Sequence, residues 1–512
     1  MRGLRLCSLI FYAVSILSAQ EMQELQKRIA EFTLANGLRV IVLERHDSPV
    51  ISFHTWVNVG SIDDPAGQSG MAHMFEHMTY KGSETLGTRN WAEEKKALDA
   101  AEEALNKAEA EARKGAGADQ IRVDALRNQA RRAVEIAQRV SAPADYRRLL
   151  DENGALNPQA LATTTYTENS YSLPSNRAEL WFLMESQRLT RPAFREFYTE
   201  RALMLEEYKQ RVEGNPQGRM MSEVLAAAFK AHPYRNPVLG WPSDIQSLRR
   251  SEAQEFFELY YVPGNITMSM VGDITLADAK RLAEKYLAPM PAKPLPPRVN
   301  TQEPPQTGPK TVVVELQGPP MTMVGYKRPS QFDKDDVVLD VLQIIFSQGR
   351  SGMLYSELVQ EKRLAQQAQV VATNPDGRFP NLFLFLLVPA QGRTVEDNQN
   401  ALEDMLRRFK TTPPDPLLIS RVKAMGRANL IRRMNSNQEM AALLALHAGS
   451  YGDWHRLFTQ LDDLSKVRAE DLQRVANRYF VATGRTTLYS VPPGQSNAPP
   501  AKAPERKSGG LQ

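Results

Sequence analysis

The spacing of apolar residues predicts alternating strands and helices along most of the chain. Apolar and polar positions alternate around Asn36-Gly37, a dipeptide favoured in two-residue hairpin turns. Further strands and helices are predicted by the same patterns at residues 50–60, 266–274, 276–288, 311–317, 321–327, 335–346 and 381–390. Because this mixture recurs on both sides of the proline-rich stretch 289–309, the sequence predicts two related α+β halves joined by a stiff linker.

Residues 70–84, GMAHMFEHMTYKGSE, carry the most specific chemical pattern of the chain. At about 100° per residue, His73, Glu76 and His77 share one helical face, and the opposite face is apolar. Histidines four residues apart have Cβ atoms roughly 5–6 Å apart, so both imidazoles can reach one ion. Zinc accepts such a pair and then needs a third protein ligand, which leaves a fourth position for water. The order HxxEH is the inverted metalloprotease signature and indicates a catalytic zinc site.

The limits of this helix and a plainer interpretation of its histidines also follow from the sequence. Ser69 is suited to be the N-cap and Gly82 to be the stop, which predicts about three turns. The plainer interpretation is a solvated helix face that happens to carry two histidines. The chain has seven histidines in 512 residues, and this scarcity favours the metal site.

A change of composition after this helix predicts a helical hairpin over residues 91–140. The segment is rich in Ala, Glu, Lys and Arg, and its apolar residues, mostly alanine and leucine, recur at 3/4 spacing on both sides of a KGAGAD turn. The seam is thin, so the hairpin alone would be marginally stable. Two interpretations stay open: a surface insertion without chemistry, or a gate or partner-docking arm beside the site.

Downstream segments supply candidate partners for the histidines. Residues 156–174 are rich in Thr and predict strand structure. A helix follows in which Glu200 and Glu207 are seven residues apart and therefore share a face. Glu206 and Glu207 are both helical carboxylates, so the pattern leaves open which of them would reach an ion.

Charge and targeting narrow the functional class. The formal net charge of +4 includes Arg2 and Arg5 and favours neither nucleic acid nor an anionic surface as a partner.

Residues 1–19 have the pattern of a cleaved secretory signal peptide, which predicts a periplasmic or secreted protein. This segment holds Cys7, the one cysteine, so no disulfide is expected. No later stretch has the length and apolarity of a membrane span, and residues 493–512 have the composition of a disordered tail.

Four segments, in chain order, resemble the M16 metallopeptidases, the family of pitrilysin, insulin-degrading enzyme and the mitochondrial processing peptidase. They are GQSGMAHMFEHMTYKGS, YTERALMLEEY, AHPYRNPVLGWPSDI and YYVPGNITMSMVGDI, and the resemblance covers nearly the whole mature chain. It implies a clam-shell of two related α/β-sandwich halves, residues 20–288 and 310–492. One Zn²⁺ ion would be held in the first half, which contains the hairpin as an insertion, and the second half would lack a metal motif.

The resemblance also implies the roles of individual residues. His73 and His77 would be zinc ligands, Glu207 the third ligand and Glu76 the general base. Glu200 would help to orient the site. The seven-residue spacing from Glu200 matches the family and selects Glu207 over its neighbour.

Two features depart from the family pattern. The interval between the second histidine and the acidic helix is unusually long, and the hairpin accounts for the excess. In active members an Arg and a Tyr of the second half hold the substrate carbonyl, but the corresponding positions here are Gln360 and Gln366. Neither glutamine supplies a cation or a phenol. Arg350, Tyr355 or Arg363 could substitute.

The sequence therefore predicts an exported zinc endopeptidase that cleaves extended or unfolded polypeptides. An M16 partner chain would supply the missing Arg and Tyr in a heterodimer. The substrate would pair with the backbone of Ala162, Thr163 and Thr164, which we expect to form an open strand edge. The alternative is a non-catalytic M16-fold assembly or binding subunit, and the intact HxxEH motif argues against it.

Overall fold

The architecture comes from a computed structural model that describes residues 22–347 and 349–494. The predicted signal peptide and the tail beyond residue 494 lie outside these residues. The strands are β1 Ile29–Thr33, β2 Arg39–Glu44, β3 Val50–Val57, β4 Leu156–Ala162, β5 Thr167–Pro174, β6 Ile266–Gly272, β7 Lys310–Glu315, β8 Thr322–Arg328, β9 Ala365–Asn374, β10 Asn381–Pro389 and β11 Arg485–Val491.

Helices occupy most of the remaining described chain. They are α1 Met71–Met78, α2 Trp91–Ala112, α3 Gln120–Val140, α4 Ala144–Glu152, α5 Ala178–Thr190, α6 Phe197–Tyr208, α7 Pro216–Ala228, α8 Pro242–Ser247, α9 Arg250–Tyr260, α10 Leu276–Tyr286, α11 Asp336–Ser347, α12 Val395–Thr411, α13 Pro416–Asn435, α14 Asn437–Tyr451, α15 Arg456–Lys466 and α16 Ala469–Tyr479. No helix of the described ranges combines the length and the apolarity that crossing a membrane requires.

The chain forms two units, each built from separate stretches of sequence. The first contains the residues up to Leu205, Val238–Arg298 and Arg433–Phe458, and the second contains Glu206–Pro237, Val299–Arg432 and the residues from Thr459 onward. Each unit has one mixed sheet covered by helices, which confirms the predicted α+β class. The clam-shell arrangement stays a prediction.

The sheet of the first unit has the strand order β1-β2-β6-β3-β5-β4. β2 and β6 run parallel, β3 pairs antiparallel with both β6 and β5, and β4 is an edge strand. The loop between β1 and β2 spans residues 34–38, longer than the predicted two-residue turn. Asn36 donates from Nδ2 to the carbonyl oxygen of Leu287 at 2.9 Å, so this turn residue also holds the end of α10.

Each sheet is covered in part by a helix that comes from the far side of the proline-rich stretch. α14 lies late in the sequence, yet it packs on β3 and β6 of the first unit. Ser269 of β6 donates its hydroxyl to the carbonyl of Ala441 in α14 at 2.7 Å. In the second unit, whose strand order is β7-β11-β8-β10-β9, α7 packs on β7, β8 and β11. Both covering helices are therefore distant in sequence from most of the sheet that they contact.

The predicted hairpin is present as α2 and α3, which pack along each other. Its seam is rich in alanine, as the sequence indicates, and the buried apolar residues are Ala97, Leu98, Ala101, Ala104, Ala108, Val123, Ala130, Ala133 and Ala137. Asn90 and Asp119 cap the two helices by accepting backbone N–H bonds. Arg89 N–H donates to the carbonyl of Val140 at 2.7 Å, which holds the two ends of the hairpin together.

Candidate metal centre

The helix that carries the two histidines is shorter than the sequence predicts, and it begins differently. α1 has two turns and starts after Gly70, whose φ of 92° is in the left-handed region. The carboxylate of Asp64 accepts the N–H groups of Gly70 and Ala72, both at 2.8 Å, and so caps the helix from outside. The prediction of Ser69 as N-cap is wrong, because its hydroxyl donates to Asp244 at 2.7 Å.

The apolar face of α1 is buried as predicted, with Met71 and Met74 fully inaccessible. Phe75 lies 4.9 Å from the ring of Tyr261 in a stacked contact. His73 is itself only 1% exposed. The alternative of two histidines on an ordinary solvated face therefore does not describe this helix.

The structure brings His73, His77 and Glu207 together. One ligand atom from each lies within 4.8 Å of the others, and the two imidazole rings are 4.8 Å apart at 88°. Zinc bonds to nitrogen and oxygen ligands are about 2.0–2.2 Å long, so ligands in a tetrahedron lie roughly 3.4 Å apart. The three donor atoms lie within 4.8 Å of one another, so binding one ion would require side-chain rotations that shorten these separations. The donor set, two imidazoles and one carboxylate, thus fits a zinc ion.

The adjacent carboxylates at the end of α6 have different surroundings. Glu206 is 60% exposed and pairs with Lys209 at 2.7 Å. Glu207 is 18% exposed and also lies 2.8 Å from Arg211. Glu207 therefore belongs to the histidine group, and Glu206 is on another face of the helix. A cation at this site would compete with Arg211 for the Glu207 carboxylate.

Behind His77 lies a chain of charged side chains, of which Glu200 is buried and the others are half-buried. Nδ1 of His77 is 3.0 Å from Oε2 of Glu200, and Oε1 of Glu200 is 2.5 Å from Nζ of Lys81. Lys81 also lies 2.7 Å from Glu196. Burial raises the pKa of Glu200, but the hydrogen bonds from His77 and Lys81 outweigh this effect and leave the pKa below its usual value. An ionised Glu200 can orient the His77 ring, as expected of a carboxylate behind a histidine ligand.

Glu76 is fixed by the edge strand β4. Its Oε2 accepts the backbone N–H of Ala162 at 2.8 Å. One turn later, Tyr80 donates its hydroxyl to the carbonyl of Gln159 at 2.8 Å. The helix and the residues that follow it are thus tied to β4 at two points. The sequence pattern carries no signal for the Glu76–Ala162 bond, because it depends on the register of β4 beside the helix.

The open edge that we expected at Ala162, Thr163 and Thr164 does not extend through all three residues. The carbonyls of Thr163 and Thr164 accept the N–H groups of Ser61 and Ile62, both at 3.0 Å. Thr163 N–H donates within the turn that leads to β5, and Thr164 is buried. These turn backbones are already hydrogen bonded, so the exposed edge is the preceding part of β4. Substrate binding by the three residues stays a prediction.

The positions predicted to lack the substrate clamp lie in the second unit. Gln360 is exposed in a π-helical segment, Tyr355–Glu361. Gln366 is exposed at the start of β9 and lines a groove of about 760 Å³ together with Arg350 and Tyr355. Arg350 and Tyr355, two of the three possible substitutes for the missing clamp residues, therefore lie beside Gln366.

The protein resembles the metallopeptidases in its fold and in its His–His–Glu group. Two family models match the sequence: "Insulinase (Peptidase family M16)" over residues 39–112 and "Peptidase M16 inactive domain" over residues 247–425. The chain belongs to the M16 peptidase family, as the resemblance implied.

Relatives and solved structures agree with this assignment. The chain is 26% identical to the zinc protease PqqE of Helicobacter pylori over 475 residues, 90% of this chain and 92% of that protein. A crystal structure of a protease from Helicobacter pylori has a TM-score of 0.76 at 24% identity, covering 91% of this chain and 99% of that one. The periplasmic protease PqqL of Escherichia coli has a TM-score of 0.66 at 14% identity, covering 91% and 47%.

Proposed function

We propose that this chain is an exported, zinc-dependent endopeptidase that hydrolyses extended or unfolded polypeptides. The observation that carries the proposal is the convergence of His73, His77 and Glu207 within 4.8 Å, with Glu76 on the same helix. The relatives named as zinc proteases support the choice of metal. The similarity to a periplasmic protease and the pattern of residues 1–19 support export.

Each residue of the centre has a definite task in this proposal. A bound zinc ion would lower the pKa of a water molecule to roughly 7 and polarise the scissile carbonyl. Glu76 would accept the proton of that water and pass it to the leaving amine. The Ala162 N–H holds the Glu76 carboxylate in one orientation. Glu200, ionised by its contacts to Lys81 and His77, would stabilise the imidazole that it contacts.

The substrate would add to the sheet as a further strand at β4. The exposed residues of this edge strand precede Ala162, whose amide is bound to the proposed base. A peptide on this edge would therefore lie next to Glu76. Backbone pairing tolerates many side chains, so we expect broad sequence specificity.

A partner chain of the M16 family would complete the site. Gln360 and Gln366 cannot stabilise an oxyanion as a cation and a phenol can. The isolated chain should therefore cleave peptides slowly, and a partner with Arg and Tyr at the matching positions should raise the rate. Full activity of the isolated chain would remove this requirement.

Two neighbouring carboxylates give a matched test of the metal site. We expect about one zinc per chain in the wild type by elemental analysis. Glu207→Gln should lose the metal, because a ligand is removed, whereas Glu206→Gln removes an exposed carboxylate of the same helix turn and should retain it. Equal zinc contents in the two variants would contradict the ligand assignment.

Catalysis is tested separately with Glu76→Gln. This variant should keep its zinc and lose peptide cleavage by at least about 100-fold, the scale of general-base catalysis. Cleavage of a quenched fluorescent peptide, measured with and without the partner chain, distinguishes the endopeptidase from a non-catalytic binding subunit. A zinc-loaded wild type that cleaves nothing in either condition would favour the subunit, which the description of one family model as an inactive domain also fits.

A further inference from the structure

The base of the helical hairpin contains a fully buried ion pair. Glu94 in the first turn of α2 is 0% exposed, and Arg195, just before α6, is 1% exposed. The Nε of Arg195 donates to Oε1 of Glu94 at 2.8 Å. Burying two charges is strongly unfavourable unless both are paired and fully hydrogen bonded. The stability of this buried pair therefore depends on the remaining contacts of the guanidinium.

Nη2 also donates to Oε2 of Glu94 at 3.4 Å, and the other contacts go to the loop that follows the histidine helix. Nη1 of Arg195 donates to the carbonyls of Lys81 and Leu86 at 2.6 and 2.9 Å. Nη2 donates to the carbonyl of Ser83 at 2.7 Å. One guanidinium, neutralised by a hairpin carboxylate, thus gathers three backbone carbonyls of residues 81–86.

The loop is shaped to admit this guanidinium. Gly82 and Gly87 both have positive φ, 85° and 86°. A Cβ atom at these positions would lie 2.6 and 2.9 Å from Nη1 of Arg195. Glycine is therefore required twice, for backbone conformation and for space. The close approach of Arg195 is a built feature of the loop.

Lys81 joins this arrangement to the metal centre. Its carbonyl is held by Arg195, and its ammonium group lies 2.5 Å from Glu200, which in turn lies 3.0 Å from Nδ1 of His77. Continuous contacts thus run from the hairpin residue Glu94 to the ring of His77. Every residue of this path belongs to the first unit.

We propose that Glu94 is a positioning residue of the metal centre, and that the hairpin serves as a brace for the loop of residues 81–86. By neutralising Arg195, Glu94 keeps the Lys81 carbonyl and ammonium in place, which keeps Glu200 oriented toward His77. This role differs from both interpretations offered by the sequence, an inert insertion and a gate or partner-docking arm. It rests on the proposed function only in assigning His77 as a metal ligand.

A second set of contacts fastens the hairpin elsewhere and provides a control. Glu102 accepts the N–H of Ser251 at 3.0 Å, and Glu109 accepts from Arg249 at 3.2 Å. Asp99 pairs with Arg250. These contacts hold α2 against the start of α9 without touching the loop. The hairpin should therefore stay packed when Glu94 alone is changed.

The test compares Glu94→Gln with Glu102→Gln and Glu103→Gln. Glu103 lies on the exposed side of α2, where it pairs with Lys107 at 2.5 Å. In the metal-free protein, amide hydrogen exchange of residues 81–87 should accelerate about tenfold or more in Glu94→Gln and stay unchanged in Glu103→Gln. Zinc affinity, measured by competition with a chromogenic chelator, should fall in Glu94→Gln, by at most about 10–100-fold, the range for losing a group that directly contacts a ligand.

Two outcomes would overturn the proposal. One is unchanged exchange of residues 81–87 in Glu94→Gln, and the other is an equal loss of zinc affinity in Glu102→Gln, which would indicate general loosening of the hairpin. If Glu94→Gln does not fold, Gly87→Ala keeps both charges and displaces the guanidinium, and the same exchange and affinity changes are expected. A wild type that binds no zinc would overturn the proposed function, whereas the exchange result would still decide whether the brace exists.

Discussion

Among single residues, Lys327 of the second unit is held in an unusual environment. Its ammonium lies 3.8 Å from the ring centre of Phe229 and 3.9 Å from Glu303, and the side chain is 21% exposed. Burial lowers its pKa to about 8, more than the nearby Glu303 carboxylate raises it. The folded protein therefore binds this proton less tightly than the unfolded chain does.

We predict that Lys327→Met stabilises the second unit at neutral pH. Between about pH 8 and the usual lysine pKa of about 10.4, the unfolded chain carries the extra proton, so wild-type stability rises with pH across this window. Removing the lysine should raise the free energy of unfolding by about 1–3 kcal/mol at pH 7. Denaturant unfolding at pH 7 and pH 10.5 measures the effect, which should largely vanish at the higher pH.

An exposed lysine serves as the control for this prediction. Lys466 is 72% exposed and pairs with Asp463 at 3.2 Å, so Lys466→Met should change stability by less than about 0.5 kcal/mol at either pH. A Lys327→Met gain that is the same at both pH values would contradict the assigned burial effect.

For single residues, the sequence predicts well which residue types form the candidate site, but it predicts their contacts poorly. The spacing of His73 and His77 is local, so a helix face could be derived from it. Helical spacing alone does not choose between Glu206 and Glu207; the family resemblance selects Glu207, and the rotation of α6 in the structure brings that residue to the histidines. The Asp64 cap and the Ala162 amide on Glu76 arise from backbone that approaches from other elements, and no local pattern encodes them.

Among the elements, α14 depends on one glycine for its contact with the first sheet. A Cβ atom on Gly449 would lie 2.2 Å from Nε1 of Trp56. The indole is buried and stacks on Tyr166 with ring centres 3.6 Å apart, so it cannot move away from an added methyl group. Gly449 therefore permits a close approach of helix and strand.

We predict that Gly449→Ala destabilises the first unit, although it improves the helix. Alanine is favoured over glycine in a helix by about 1 kcal/mol, but overpacking against Trp56 should be unfavourable by more than this, leaving a net loss of about 1–3 kcal/mol. Calorimetry should record a lower melting temperature for the first unit. Ser450→Ala, at the next and half-buried position, should be near neutral; a stabilised Gly449→Ala protein would show that propensity alone governs the site.

Elements with a strong period were predictable, and their partners were not. The hairpin of α2 and α3 follows from alanine spacing, because its seam is formed between neighbours in sequence. The spacing of apolar residues likewise predicts the strands β3 and β6. The covering of this sheet by α14 is a contact between residues hundreds of positions apart, and amphipathic spacing says that a helix face is buried without saying against what.

For the whole molecule, we make a prediction about fragments, because each sheet is covered in part by a helix from the far side of the proline-rich stretch. A fragment of residues 22–298 lacks α14, so the face of β3 and β6 around Trp56 would be uncovered. We expect this fragment to bind a hydrophobic dye strongly and to melt without a cooperative transition. Fusing residues 433–458 to its end through a flexible linker should restore cooperative melting.

The control fusion carries α12, Val395–Thr411, which belongs to the second unit. It should leave the fragment as it was, since its apolar face is matched to another sheet. Cooperative melting of the unfused fragment would contradict a need for α14.

The late position of α14 also constrains the order of events during synthesis. The last strand of the first sheet, β6, ends at Gly272, but the helix that covers this sheet is complete only at Tyr451. At roughly 5–20 residues per second, a ribosome needs on the order of ten seconds or more to bridge that interval. During this time the nascent sheet exposes apolar surface that is prone to non-specific association. Translation speed and chaperone binding should therefore govern the yield of native molecules.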